Sequence, residues 1–281
     1  MSATRVVHVP VSGGELAVEV VDGSTAPVLA VHGISSTRRL WDWLRAEAPE
    51  LSLVAPDLRG RGDSVAVAGP SSVAQHADDL VAVLDALDLD AVHVCGMSMG
   101  GFVAVDLAHR CPDRVRSLVL VDGGFPMAAP PGLTRELLPV VFADRLGRLE
   151  QAWPSLEDYL DFFVTNTAPL LDPNDPVLRG YLEHDLRGGR VRLSGDALVS
   201  DAESVYFGDS PWQELKLPVR FAHAEWSVGK DSAPAYPPDA VERYRATCVT
   251  TRFLPGLDHG GSIMTPAGAT ATVELLREAL A

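Results

Sequence analysis

Short apolar runs bounded by Gly, Pro or Asp recur along the chain: "PVLAVHG", "LSLVAPD", "AVHVCGMS", "VRSLVLVDG", "PVRFAHAE" and "TRFLPG". Most are rich in the β-branched residues that fill buried strands. Between them, "SVAQHADDLVAVLDALDL" and "GGFVAVDLAHRC" set apolar residues three and four apart, the period of a helix with one buried face. Strand and helix alternating in this way predict the α/β class, with a mostly parallel sheet of about eight strands covered by helices on both faces. Ahead of this series, "RVVHVPV" and "ELAVEVVDG" alternate with period two and are joined by "SGG", the pattern of a hairpin.

The rhythm breaks between Phe125 and Trp212, where the proline clusters "FPMAAPPG" and "LLDPNDPV" separate helical stretches such as "SLEDYLDFFVTNT". A structureless loop of that length does not suit a compact domain. Residues 125–212 are therefore expected to form a helical cap inserted into a core built from 1–124 and 213–281. The closing "PAGATATVELLREALA" reads as a final amphipathic helix beginning at Pro266.

Composition narrows the function classes. At 281 residues and 47% apolar, the chain can bury a large core. Its 23 basic and 38 acidic residues give a net charge of -15, which opposes phosphate backbones and anionic membrane surfaces. Nucleic acid and membrane are thus set aside as partners. The small basic clusters "LRGRG" and "LRGGRVR" read as solvated faces or loops. Three cysteines, Cys95, Cys111 and Cys248, leave one over in any disulfide scheme and show no C-x-x-C spacing. The first residues alternate like strands rather than forming the apolar core of a signal peptide, and no run reaches the roughly 18 apolar residues of a membrane span. A cytoplasmic protein is expected, with a homo-oligomer left open.

Gly96-Met97-Ser98-Met99-Gly100 is G-x-S-x-G between an expected strand and an expected helix, the setting of a nucleophile elbow. There a sharp turn exposes the serine hydroxyl, and side chains two residues to either side would collide. A serine needs a base to take its proton. Of the eight histidines, His76 and His109 fall in helical patterns, His93 falls in a strand, and His8 and His184 lack supporting context. His259, in "FLPGLDHGG", follows the last expected strand at the sheet edge where open α/β sheets place their sites.

With these residues in view, the chain resembles the α/β-hydrolase superfamily. "VHG" at Val31 to Gly33 is similar to the His-Gly turn after that family's third strand. "PDLRGRGDS" at Pro56 to Ser64 is similar to its D-x-R-G-x-G-x-S segment, and "PGLDH" to its final G-x-x-H. The order Ser, then His, is the family's order. The resemblance implies an oxyanion hole made by the backbone amides of Met99 and Ile34. Met99 would open a helix, whose free amides and dipole favour developing negative charge. His32 is expected to position that loop, and Asp57, Arg59, Gly60, Gly62 and Ser64 to brace the neighbouring one. There is no HGGG run, which sets aside the branch that acts on bulky tertiary-alcohol esters.

The chain departs from the family at the acid that should orient the histidine. In "AHAEWSVGKD", Ala224 and Ser227 stand where the family usually has Gly and Asp. Asp122 at the end of "LVLVDGG", Asp231 and Glu225 are the candidate replacements, with Asp122 favoured because its strand would lie beside the nucleophile strand. His223, Glu225 and Trp226 could form a polar-aromatic wall near the site. No spacing of His, Cys or carboxylates suggests a metal.

The expected activity is hydrolysis of a carboxylic ester or lactone by Ser98, His259 and Asp122 through an acyl-enzyme, with no cofactor. A serine at the elbow, rather than Asp, argues against the dehalogenase and epoxide-hydrolase chemistries of the family. Phe125, Trp153, Tyr159, Phe162, Phe163 and Tyr181 in the cap, with Trp41 and Trp212 beside it, favour an apolar small-molecule substrate. Acyl transfer and carbon–carbon bond hydrolysis on the same triad remain open, as does a non-catalytic ligand-binding member of the fold.

Overall fold

The computed structural model describes residues 3–127 and 132–281. Pro130 and Pro131 of the "FPMAAPPG" cluster lie outside this range, as do Met1 and Ser2. Eight strands form one sheet: β1 (Thr4–Val11), β2 (Gly14–Val21), β3 (Pro27–Val31), β4 (Ser52–Pro56), β5 (Val92–Met97), β6 (Val115–Val121), β9 (Val219–Trp226) and β10 (Thr250–Asp258). Their spatial order is β1-β2-β4-β3-β5-β6-β9-β10. β1 and β2 pair antiparallel, β2 pairs antiparallel with β4, and every later pairing is parallel. The α/β class expected from the sequence is the one observed.

Burial explains why the central strands read as unbroken apolar runs. Val28 to Val31 on β3 and Leu118 to Val121 on β6 are fully buried, as parallel strands covered on both faces must be. One face carries α2 (Val73–Ala86), α3 (Met99–Arg110) and α9 (Pro238–Tyr244); the other carries α1 (Asp42–Glu47) and α10 (Pro266–Leu280). Local chemistry sets the helix starts. The Gln75 amide donates to Ser72 Oγ at 3.1 Å, and the Gly268 amide to Thr265 Oγ at 3.1 Å with Pro266 in the first turn.

The segment between β6 and β9 contains α4 (Leu138–Val141), α5 (Ala143–Glu150), α6 (Leu156–Asn166), α7 (Pro176–Asp185) and α8 (Gly195–Phe207). It also contains a hairpin that the sequence reading missed, β7 (Leu186–Arg187) with β8 (Arg190–Val191). Gly188 and Gly189 turn it with φ of +59° and +72°, inside "LRGGRVR". That cluster and "LRGRG" are not simply solvated. Arg59 and Arg61 are buried, and Arg192 bonds Asp63 and the His184 carbonyl.

The chain runs from β3 outward to β4, then crosses back to β5 on the other side of β3. The carboxyl ends of β3 and β5 therefore flank the crevice where open α/β sheets bind ligands. Among the described residues no helix is long and apolar enough to cross a membrane.

Candidate active site

Ser98 sits between β5 and α3 with φ +56° and ψ −125°, a conformation few non-glycine residues adopt. Its amide donates to Val121 O at 3.0 Å and its carbonyl accepts from Gly101 N at 2.9 Å, so both neighbours hold the turn. A Cβ on Gly96 would lie 2.4 Å from Gly100 O, and one on Gly100 would lie 1.9 Å from Val31 O. Both glycines are required by close backbone approach, as the motif predicts.

His259 follows β10 directly. Its amide donates to Ser227 O at 3.1 Å, and its carbonyl accepts from Ser262 Oγ at 2.7 Å. The buried Asp258 carboxylate steadies this corner by accepting from the Gly229 and Gly261 amides, each at 2.8 Å. His259 Nδ1 lies 2.6 Å from Asp122 Oδ2. Asp122 is completely buried, and its Oδ1 accepts from the Ala224 amide at 3.0 Å. Its backbone is left-handed at φ +44°, a region Asp and Asn tolerate better than most side chains. Next to it, a Cβ on Gly123 would stand 2.1 Å from Ser98 O. The "DGG" step thus lets the β6 end pack flat against the elbow, a requirement the sequence reading did not assign.

Asp231 and Glu225 are placed elsewhere. Asp231 is exposed, whereas Glu225 accepts from the Gly256 amide at 2.6 Å and ties β9 to β10. That bond bridges the register shift in β10, whose edge position tolerates Pro255. Ser227, standing where the family usually has an acid, bonds Ser232 through its amide at 3.1 Å. His223 packs on Phe221 and Phe253, and burial lowers its pKa. No hydrogen bond joins the Ser98 hydroxyl to His259 among the described residues; such contacts are commonly long in unliganded sites. Both side chains line the same cavity.

The loop after β3 is held from three directions. His32 Nε2 accepts from the Leu58 amide at 3.0 Å, so Nδ1 carries the proton and donates to Gly33 O at 2.8 Å. Burial pulls the His32 pKa down to about 4, which keeps the ring neutral in this role. Arg61 donates from Nε and Nη2 to Ile34 O at 3.0 and 2.9 Å, and Arg148 of α5 donates to Ser35 O at 2.9 Å. Arg61 is itself paired with Asp201 of α8 at 2.6 Å, both fully buried. Burial works against that carboxylate, but Arg61 and His76 outweigh it and hold its pKa at about 2. The reading of His76 as a residue on a helix face gave no sign of this partnership, which spans 125 positions.

The second loop is braced as the sequence suggested. Arg59 forms a bidentate pair with Asp79 at 2.8 Å, and Ser64 Oγ accepts from the Ala17 amide at 2.9 Å. Gly62, at φ +51°, leaves room for Asp57, whose Cγ would be 2.4 Å from a Cβ there. Burial would raise the Asp57 pKa, but His184 and Arg38 reverse this and set it at about 2. Donor atoms of Asp57, Asp63 and His184 lie within 4.8 Å of one another. Arg38 and Arg192 already supply the positive charge in that cluster.

A cavity of about 370 Å³ opens onto Ser98, Met99, Ile34 and His259. Of the cap and flanking aromatics singled out in the sequence, Phe163 and Tyr181 line it. Phe125 instead stacks on Tyr244 with centroids 4.6 Å apart, and Trp153 packs against Tyr159 and Phe162 at 5.1 and 4.9 Å. Trp41 and Trp212 are likewise packed into the core side. In their place the wall takes Phe142, Tyr206, Met127 and Met264, together with Arg145.

Comparison with known proteins gives three kinds of likeness. Residues 28–273 match the family described as the alpha/beta hydrolase family. The chain is 34% identical over 165 residues to lipase LipV of Mycobacterium tuberculosis, a stretch covering 57% of this chain and 58% of the lipase. It therefore spans little more than half of that relative's length. It is 28% identical over 231 residues to a putative 2-succinyl-6-hydroxy-2,4-cyclohexadiene-1-carboxylate synthase of Bacillus subtilis, covering 78% of this chain and 81% of that one. In fold it is similar to the crystal structure of E-2-(acetamidomethylene)succinate hydrolase, with a TM-score of 0.78, 21% identity, and 99% and 100% of the two chains covered.

Proposed function

The chain belongs to the alpha/beta hydrolase family, and from that premise we infer that it hydrolyses a carboxylic ester or lactone through an acyl-enzyme on Ser98. The helical segment 125–212 acts as a cap over the cavity of the core, 1–124 and 213–281. Ser98 Oγ attacks the substrate carbonyl carbon while His259 Nε2 takes its proton. Asp122 keeps the imidazole proton on Nδ1 and stabilises the imidazolium as it forms. The Ile34 and Met99 amides donate to the carbonyl oxygen as it becomes an oxyanion, a service that typically contributes about 2.7–4 kcal/mol per donor. Collapse of the tetrahedral adduct expels the alkoxide, which leaves with the proton from His259. Water then attacks the acyl-enzyme with His259 again as base, releasing the acid and restoring Ser98.

The observation that carries this reading is the 2.6 Å contact between His259 Nδ1 and the buried Asp122, at the edge of a cavity that also holds a strained Ser98. A binding protein has no need to keep a serine in such a backbone conformation or a carboxylate buried behind an imidazole. The likeness to a lipase supports ester cleavage. The likeness to a 2-hydroxy-6-oxo-2,4-heptadienoate hydrolase of Pseudomonas putida, 32% identical over 155 residues, favours a second reading, carbon–carbon bond cleavage by the same residues. Three free cysteines suit a reducing compartment such as the cytoplasm.

A screen of ethyl esters, lactones and vinylogous diketones of graded length tests the proposal, with Ser98→Ala as control. Ester or lactone turnover abolished in Ser98→Ala is the expected result. Cleavage of the diketones alone selects the second reading, and no turnover of any substrate rejects both.

A further inference from the structure

Arg145 on α5 lines the cavity that holds Ser98 and His259. It is the one permanently charged side chain among the described lining residues. The buried guanidiniums discussed above each have a carboxylate: Asp57 for Arg38, Asp79 for Arg59, Asp201 for Arg61 and Asp185 for Arg148, whereas Arg145 is half-buried. Arg145 has neither an ion pair nor a hydrogen bond among the described residues. Those left undescribed, Met1, Ser2, Ala128, Ala129, Pro130 and Pro131, include no acid to supply one. Its guanidinium carbon lies 5.5 Å from the centroid of the Phe142 ring.

The surroundings make this unpaired charge costly. Burial and the neighbouring Arg148 lower the Arg145 pKa and outweigh Tyr206 and the adjacent Asp144, which raise it. A guanidinium stays protonated even so, and presents five donors in a planar fork suited to a carboxylate. Tyr206, on α8 in the same wall, adds a phenol whose hydroxyl likewise has no hydrogen-bond partner among the described residues. The Phe142 ring lies beside both, with its centroid 6.4 Å from that of Tyr206, and Val205 lines the same cavity. At about 370 Å³ the cavity is near the lower end of small-molecule sites, which suits a compact acid better than a long acyl chain.

We propose that Arg145 and Tyr206 form a carboxylate subsite, and that the substrate is a small ester or lactone carrying a second, ionised carboxyl group away from the bond that is cleaved. This rests on the hydrolase reading of Ser98, and it replaces a purely apolar substrate with an amphipathic monoanion. The overall charge of -15 does not oppose it, because an anion-steering penalty acts over the outer surface while the subsite offers a single half-buried cation in the cavity wall.

Two measurements on the whole chain separate the subsite from the chemistry. In the first, monoethyl succinate, glutarate and adipate are compared with ethyl esters of equal carbon number. At least one monoanion should exceed its neutral counterpart in kcat/KM. Arg145→Leu should cut that ratio about 30-fold, or about 2 kcal/mol, chiefly through KM, with partial return in Arg145→Lys. A ratio below one at every length, or one unchanged in Arg145→Leu, overturns the proposal. In the second, calorimetry follows binding of free succinate, glutarate and adipate, which requires no turnover. Binding that is lost in Arg145→Leu upholds the subsite even if no ester is cleaved; absence of binding to the native protein overturns it. Unchanged thermal unfolding of Arg145→Leu certifies that the variant is folded.

Discussion

Replacing Asp122 by Asn isolates what the buried carboxylate does. The left-handed backbone at this position, φ +44°, suits Asn as well as Asp, so the substitution adds no strain. Hydrogen bonding then dictates how the amide must sit. The Ala224 amide, 3.0 Å from Oδ1, is a donor and can face only the new Asn oxygen. The Asn NH₂ therefore faces His259 Nδ1 at the position Oδ2 now occupies, 2.6 Å away. It donates to Nδ1 and drives the imidazole proton to Nε2, where the ring can no longer accept from Ser98. The imidazolium also loses its counter-charge. The expected loss in kcat is about 10⁴-fold, equivalent to about 5 kcal/mol. Steady-state hydrolysis of a p-nitrophenyl ester measures it, alongside urea unfolding to show that the fold persists. Asp231→Asn, at an exposed site, should stay within about twofold, as surface changes usually do. Near-native activity in Asp122→Asn together with a collapse in Asp231→Asn would refute the assignment.

Other substitutions probe the frame around the site. Gly100→Ala puts a Cβ 1.9 Å from the Val31 carbonyl, a backbone atom that cannot step aside, so a loss of about 3 kcal/mol or more is expected in urea unfolding. An unchanged midpoint would mean that the elbow is looser than described. Arg61→Leu leaves Asp201 buried without its guanidinium and frees the Ile34 carbonyl. A destabilisation of about 3–5 kcal/mol should accompany a fall in kcat; loss of stability alone would separate the brace from the oxyanion loop. His32 gives a pH signature. Because burial lowers its folded pKa to about 4 from 6.5, its contribution is complete above pH 6.5. As pH falls toward 4 the unfolded chain takes up the proton first, which removes on the order of 3 kcal/mol. Calorimetric melting from pH 7 to pH 4 should show this decline, and His32→Gln should flatten it.

Much of this arrangement is written locally in the chain. Ser98 is legible because the elbow demands glycine at both Gly96 and Gly100, and His259 because it follows the last parallel strand at the carboxyl edge. Pro266 after Thr265 marks the start of α10 by chemistry confined to a single turn. What was not legible depends on pairing across long separations. Arg61 with Asp201 joins residues from two distant elements, and Asp258 holds Gly229 across a strand end. "LRGRG" looks solvated when read alone, since nothing local reveals a buried acid 140 positions later in the chain. The identity of the cavity lining is not legible for a similar reason. Phe125 and Trp153 pack on other aromatic rings, Tyr244 and Tyr159, while Arg145 reaches the cavity from a helix half of whose residues are charged.

The role of Ser98 can be read most directly from its rate of modification by a fluorophosphonate, followed by intact-mass spectrometry and peptide mapping. One adduct is expected, located on the peptide containing Ser98, forming rapidly in the native protein, at least a hundredfold more slowly in His259→Ala by the usual contribution of a general base, and not at all in Ser98→Ala. Labelling that is equally slow in the native protein and in His259→Ala, or an adduct on any other residue, would contradict it.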